Sequence, residues 1–147
     1  MSLFKSFFSD EQLKQVEAAI HSAEKNTSGE IRVHIEDRCK AEPLKCAAEI
    51  FHKLGMDKTD LRNGVLIFVA LKDRQFVVVG DEGINKHVPP GFWDQLRDKT
   101  LEKFKEGKFP EGLCEGIDMA GHELKKYFPG NTSDKNELSN QVTSGDQ

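Results

Sequence analysis

A chain of 147 residues with 37% hydrophobic and 31% charged side chains has the size and balance of one domain with its own core. A net charge of −4 and a pI near 5.7 argue against a general nucleic-acid binder and against docking on an anionic membrane surface. No run approaches the ~18 apolar residues of a membrane span. The apolar content of residues 1–8 is short and broken by Lys5 and Ser6, unlike a secretory signal, so the expected address is the cytoplasm.

In chain order, Ser9 followed by Gln12 reads as a capping box. Leu13, Val16, Ile20 and Ala23 then share one helical face. Asn26-Thr27-Ser28-Gly29 stops that helix. Residues 30–36 alternate, with Ile31, Val33 and Ile35 on one side and Arg32, His34 and Glu36 on the other. This predicts a strand with one wetter face, near a sheet edge or under a polar helix. Pro43 suits the first turn of a second helix, with Leu44, Ala47, Ala48 and Phe51 as its stripe and Gly55 as its stop.

A polar loop leads to residues 64–71, apolar on both faces, which predicts a central strand covered by helices. Lys72-Asp73-Arg74 is a tight turn into a second apolar strand, Phe76 to Val79, giving an antiparallel hairpin. Gly80-Asp81-Glu82-Gly83 ends it. Two helices follow. One covers about residues 90–106, with Phe92, Trp93, Leu96 and Phe104 inward. The other starts at Pro110 and carries Leu113, Cys114, Ile117, Leu124 and Phe128. Residues 131–147 hold only Leu138 and Val142 as aliphatics and are expected to form a disordered tail beyond a domain of residues 1–130. The order α-β-α-β-β-α-α predicts an α/β fold. It is a three-layer α/β/α sandwich whose small mixed sheet of three to four strands is flanked by about four helices.

Three cysteines, Cys39, Cys46 and Cys114, match neither a CxxC pair nor a zinc spacing. Cys46 and Cys114 fall on apolar helix stripes and are expected to be buried reduced thiols, not parts of a disulfide framework.

Connectivity places the chemistry. A crossover helix makes the first two strands parallel, and the hairpin reverses the third. The start of strand one, the start of strand two and the end of strand three therefore share one end of the sheet. That end gathers Glu30, Asp57, Asp60, Arg62, Asn63, Asp81 and Glu82. Carboxylates and an amide around a glycine-flanked turn are ligand types for a hard cation. Asp81 and Glu82 are the first candidates, with Asn63, Asp60 and Glu30 next. The plainer reading of the same acids is a salt bridge to Arg62 or Lys86. The opposite end offers Glu36, Asp37, Asp73 and Arg74, at the carboxyl ends of the parallel strands where open α/β sheets tend to bind ligands. His34 is expected to be a solvated or paired strand histidine. His87 is the one histidine near the acidic end. The chain contains no G-x-S-x-G, Walker loop or G-x-G-x-x-G.

The hairpin carries Arg62-Asn63-Gly64, Asp73-Arg74 and Gly80-Asp81-Glu82-Gly83. Together with Thr27-Ser28-Gly29-Glu30-Ile31 and Phe109-Pro110-Glu111-Gly112, it resembles the TPM domain family over about residues 9–128. The resemblance implies an α/β/α sandwich that binds calcium, magnesium or another divalent cation, and a short cytoplasmic branch of the family. It also implies, through a plant thylakoid-lumen branch associated with acid phosphatase activity and photosystem repair, a possible metal-dependent phosphatase. In that reading Asp81 holds metal, Glu82 or His87 handles protons and Arg62 binds phosphate. A third reading is a protein-interaction module. The expectation is a monomer whose partner is a divalent metal ion, with no nucleic acid and no membrane.

Overall fold

The computed structural model describes residues 8–130 and 142–144. Helix α1 spans Asp10–Glu24 and starts on the expected capping box. The Ser9 hydroxyl accepts from the Gln12 N–H (3.1 Å), and the Gln12 side-chain oxygen accepts from the Ser9 N–H (2.9 Å). Such a cap contributes about 1 kcal/mol. Strand β1 spans Glu30–Glu36, α2 Pro43–Lys53, and a 3-10 turn Met56–Lys58. Strands β2 (Gly64–Ala70) and β3 (Gln75–Gly80) form the hairpin. A short helix α3 (Glu82–Asn85), α4 (Phe92–Lys105), α5 (Phe109–Tyr127) and a two-residue strand β4 (Thr143–Ser144) complete the described fold.

The sheet order is β3-β2-β1-β4. β1 and β2 are parallel, with Glu30 opposite Gly64 and Glu36 opposite Ala70, and β3 is antiparallel to β2. β2 is buried along its whole length, as its two-sided apolar sequence requires. On one face Ile31, Val33, Ile35, Val65, Ile67 and Val69 pack against Val16 and Ile20 of α1, Leu96 of α4 and Leu113, Ile117 and Leu124 of α5. On the other, Leu66, Phe68 and Ala70 pack under Ala47 and Phe51 of α2 and under Met56. Each fully buried aliphatic of this kind contributes about 1.5–3 kcal/mol. The result is the expected three-layer α/β arrangement, with helices α1, α4 and α5 on one side and α2 on the other.

Four expectations need correction. First, Cys39 and Cys46 form a disulfide, with their Cα atoms 6.3 Å apart. The loop after β1 folds back onto the first turn of α2, and helical periodicity carries no trace of that approach. Cys114 alone is a free cysteine, half-buried on α5. Second, the buried stripe of α2 runs through Ala47, Phe51 and the half-buried Cys46, Ile50 and Leu54, while Leu44 is 57% exposed and Ala48 is exposed. Third, the polar face of β1 is not wet: Glu30, Arg32 and His34 are all buried, and β1 lies inside the sheet, with β2 along its length and β4 beside His34 and Ile35. Fourth, residues 142–144 of the expected disordered tail extend the sheet. Thr143 and Ser144 pair in parallel with His34 and Ile35, and the Val142 side chain is buried. The rest of residues 131–147 lies outside the described residues.

His34 explains part of that docking. Its Nδ1 bonds the Thr143 hydroxyl (2.7 Å), its Nε2 bonds the Glu36 carboxylate (2.8 Å), and its ring stacks on Phe68. Burial pulls its pKa down, opposed by the bond to Glu36. Among the described residues, no helix is long and apolar enough to cross a membrane.

Candidate metal site

The backbones at the starts of β1 and β2 and the end of β3 meet at Gly64. The Glu30 N–H donates to the Asn63 carbonyl (3.4 Å), and the Asp81 N–H donates to the Gly64 carbonyl (2.9 Å). The loop before β2 and the turn after β3 are locked together here. Arg62 takes a left-handed conformation (φ 51°), and its carbonyl accepts from the Gly83 N–H at 2.7 Å. A Cβ at position 83 would lie 2.2 Å from the Leu61 carbonyl oxygen and 2.5 Å from that of Arg62, so only glycine lets the two segments approach. Asn85 braces the far side. Its amide nitrogen donates to the Gly80 carbonyl (2.7 Å), and its side-chain oxygen accepts from the Trp93 indole N–H (2.8 Å).

Asp81 is buried and occupies the N-cap of α3. Its Oδ1 accepts from the Glu82 N–H at 2.8 Å. The Arg62 guanidinium meets the carboxylate with two bonds, Nε to Oδ2 at 2.7 Å and Nη2 to Oδ1 at 2.9 Å. This is the planar two-point geometry that makes arginine–carboxylate pairs strong and directional. Arg62 Nη1 lies 3.5 Å from the exposed Glu82 carboxylate. The bonds to Asp81 hold the Arg62 guanidinium above the ordinary arginine range, against desolvation and with further help from the charges of Asp81, Glu82 and Asp57. The salt bridge to Arg62 allowed by the sequence is therefore present.

The other candidates have different partners. Asn63 is buried and its side-chain N–H donates to the Ser28 hydroxyl (3.3 Å). Asp60 is exposed. Glu30 is buried beside Glu24, the last residue of α1. Glu24 accepts from the Ile31 N–H at 2.8 Å. Burial pushes the Glu24 carboxyl up to about 8, against the lowering effect of that backbone bond and with a further push from Glu30. Arg32, also buried, faces both acids electrostatically, and its Nε has no hydrogen-bond partner. The ring contacts of His87 are with Tyr127 (centroids 5.1 Å apart) and Phe128 (5.7 Å), so the structure gives it a packing role on α5.

Two further oxygen atoms belong to the same loop: one on Asp57, which the sequence placed at this end but not among the ligand candidates, and one on Thr59, which it did not mark. Asp57 uses one carboxylate oxygen to bond His52 Nδ1 at 2.8 Å, which lowers its pKa. Its Oδ1 is buried with no hydrogen-bond partner, as is the hydroxyl oxygen of the buried Thr59. Buried polar atoms without partners are uncommon and costly. Nothing periodic marks a single threonine in a charged loop, so no sequence signal finds it. The donor set at this rim consists of carboxylate, hydroxyl and carbonyl oxygens, which fits a hard divalent cation. Among the described residues, no three His, Cys, Asp or Glu side chains are gathered into a ready-made cage. Arg62 occupies the buried Asp81 carboxylate instead.

The model of the TPM domain matches residues 2–123. The chain belongs to the TPM domain family. It is similar to BA42, a protein from the psychrophilic bacterium Bizionia argentinensis whose structure was determined by NMR. The identity is 47%, the coverage is 95% of this chain and 96% of that one, and the TM-score is 0.87. The N-terminal domain of a P. gingivalis protein is 18% identical, with coverage of 83% and 79% and a TM-score of 0.70. The N-terminal domain of the Corynebacterium glutamicum protein cg2496 is 13% identical, with coverage of 80% and 74% and a TM-score of 0.63. These last two share the fold. No curated protein matches the chain.

Proposed function

We propose that this TPM domain binds a divalent cation, calcium or magnesium, at the rim formed by residues 57–63 and 81–82. The cation takes the place of the Arg62 guanidinium on Asp81. The observation that carries this reading is the internal cation itself: a buried carboxylate, with Glu82 and Asp57 around it, holds an arginine by two bonds. The Arg62 side chain is 41% exposed, so it can leave for solvent without crossing the core. Asp81 and Glu82 would supply the charged ligands, and the unbonded Asp57 Oδ1 a third. Displacing a resident cation weakens the net affinity, so binding in about the 10⁻⁴–10⁻³ M range of low-affinity calcium modules is expected.

Calorimetric titration of calcium and magnesium into the wild-type protein and Asp81→Asn tests this. The wild type should bind one ion saturably, and the variant, with its fold checked by amide spectra, should lose at least about tenfold in affinity, equivalent to about 1.4 kcal/mol. Absence of saturable binding in the wild type, or equal binding in both proteins, would refute the proposal.

A further inference from the structure

At the other end of the sheet, a cavity of about 450 Å³ opens between the β2–β3 turn and the ends of α4 and α5. Leu71, Leu101, Phe104 and Phe109 form its apolar wall, and Arg74 and Lys105 stand at its polar edge. A volume in the range of small-molecule sites, mostly apolar and with a few polar groups, is the usual form of a ligand pocket. At the ~30 Å³ a liquid water occupies, there is room for about fifteen non-hydrogen atoms. The cavity lies beyond the carboxyl end of β2 in the parallel β1–β2 pair, the side on which open α/β sheets bind ligands.

The two cations decide the ligand's charge. Among the described residues, Arg62, Arg97 and Lys108 carry ion pairs, to Asp81, Asp98 and Glu106. Neither Arg74 nor Lys105 has an ion pair among the described residues. Asp73, the acid next to Arg74 in the turn, spends an oxygen on the Cys39 N–H at 2.7 Å. Arg74 is held in place by its turn, with φ 53° and its N–H bonded to the Leu71 carbonyl. The walls are also held: Phe104 meets Phe76 edge-on and Phe109 at 5.0 Å. An apolar chamber with two unpaired cations at its mouth is complementary to an anion with an apolar body.

We infer that this cavity binds an amphipathic carboxylate, its hydrocarbon body against Leu101, Phe104 and Phe109 and its head between Arg74 and Lys105. This site is separate from the cation rim and does not depend on it.

The test uses the full-length protein, with decanoate below its micellar concentration as the probe and amide spectra as the readout. Saturable shifts are expected in residues 69–75 and 101–109, with residues 57–63 and 80–83 unmoved. Decanol, the neutral counterpart, should bind more weakly. The double charge reversal Arg74→Glu/Lys105→Glu should weaken decanoate by about tenfold while leaving calcium binding intact. A lack of saturable shifts would overturn the inference. So would equal binding of decanol and decanoate, indifference to the charge reversal, or general loss of signal dispersion.

Discussion

The two ends of the sheet solve opposite problems. At the amino end of β1 and β2, the chain brings acids together and neutralises them from within. Arg62 is laid on Asp81, a proton is retained on Glu24 beside Glu30, and polar atoms of Asp57 and Thr59 are left without partners. At the carboxyl end, the cavity wall is apolar, and the cations at its edge, Arg74 and Lys105, have no ion pair among the described residues. The rim at one end offers acids to a cation and the cavity at the other offers two cations to an anion, at opposite ends of the same parallel strand pair. The apolar centre of β2, buried along its whole length, keeps the two sites apart.

The comparison can be broken most severely at Gly83. A methyl group there meets backbone carbonyls that cannot rotate away. Gly83→Ala should therefore cost about 3 kcal/mol, read as a fall of roughly 10 °C in the melting temperature. Decanoate shifts at the far end should persist in the folded fraction. A variant that melts with the wild type would show that the two segments are not in close contact.

The Cys39–Cys46 bridge tests the opposite end. It closes a short loop, and removing it should cost about 2 kcal/mol, measured as a lower melting temperature in reductant or in a Cys39→Ser/Cys46→Ser variant. Thiol titration of the oxidised, denatured protein should find one reactive group, Cys114, and three after reduction. Three thiols before reduction would contradict the bridge.

Glu24 gives a smaller effect with a definite sign. Its folded pKa is raised, so the native state binds more protons than the unfolded chain between 4.5 and about 8. Stability from this group therefore falls as pH rises through that interval and levels off above it. His34, whose folded pKa is lowered, acts in the opposite direction below about 6.5. The clean window is thus between pH 6.5 and 8. Glu24→Gln should flatten the slope there and raise stability at pH 8 by about 1–2 kcal/mol, as followed by urea unfolding at several pH values. An unchanged slope would contradict the raised Glu24 carboxyl.

Much of the frame was legible because periodicity reports burial. The alternation of residues 30–36, the unbroken apolar run from Gly64 and the Ser9–Gln12 box each matched an observed element, with ends shifted by a residue or two at most. The convergence of Glu30, Asn63 and Asp81 followed from strand direction alone, and their backbones do meet at Gly64. Side-chain destinations did not follow. Whether Asn63 turns to Ser28 or to Asp81 depends on local torsions that no sequence pattern encodes. Part of the burial of His34 was missed because Thr143 of β4 bonds its ring, and β4 is a strand too short and too polar to announce itself. The disulfide was missed for a related reason: a loop's return path leaves no periodic trace. Helix α3 is a single turn begun by Asp81 as N-cap, and four residues are too few for a stripe.

The exchange of one cation for another on Asp81 is tested most directly by the Arg62 side-chain Nε–H signal during a calcium titration. While bonded to Asp81 it should be shifted and protected from solvent exchange. As calcium saturates the protein, it should move to the position of a free arginine and exchange rapidly, while Arg74 stays unchanged. An Arg62 signal that remains protected at saturating calcium would contradict the account, because the carboxylate would still hold its original partner.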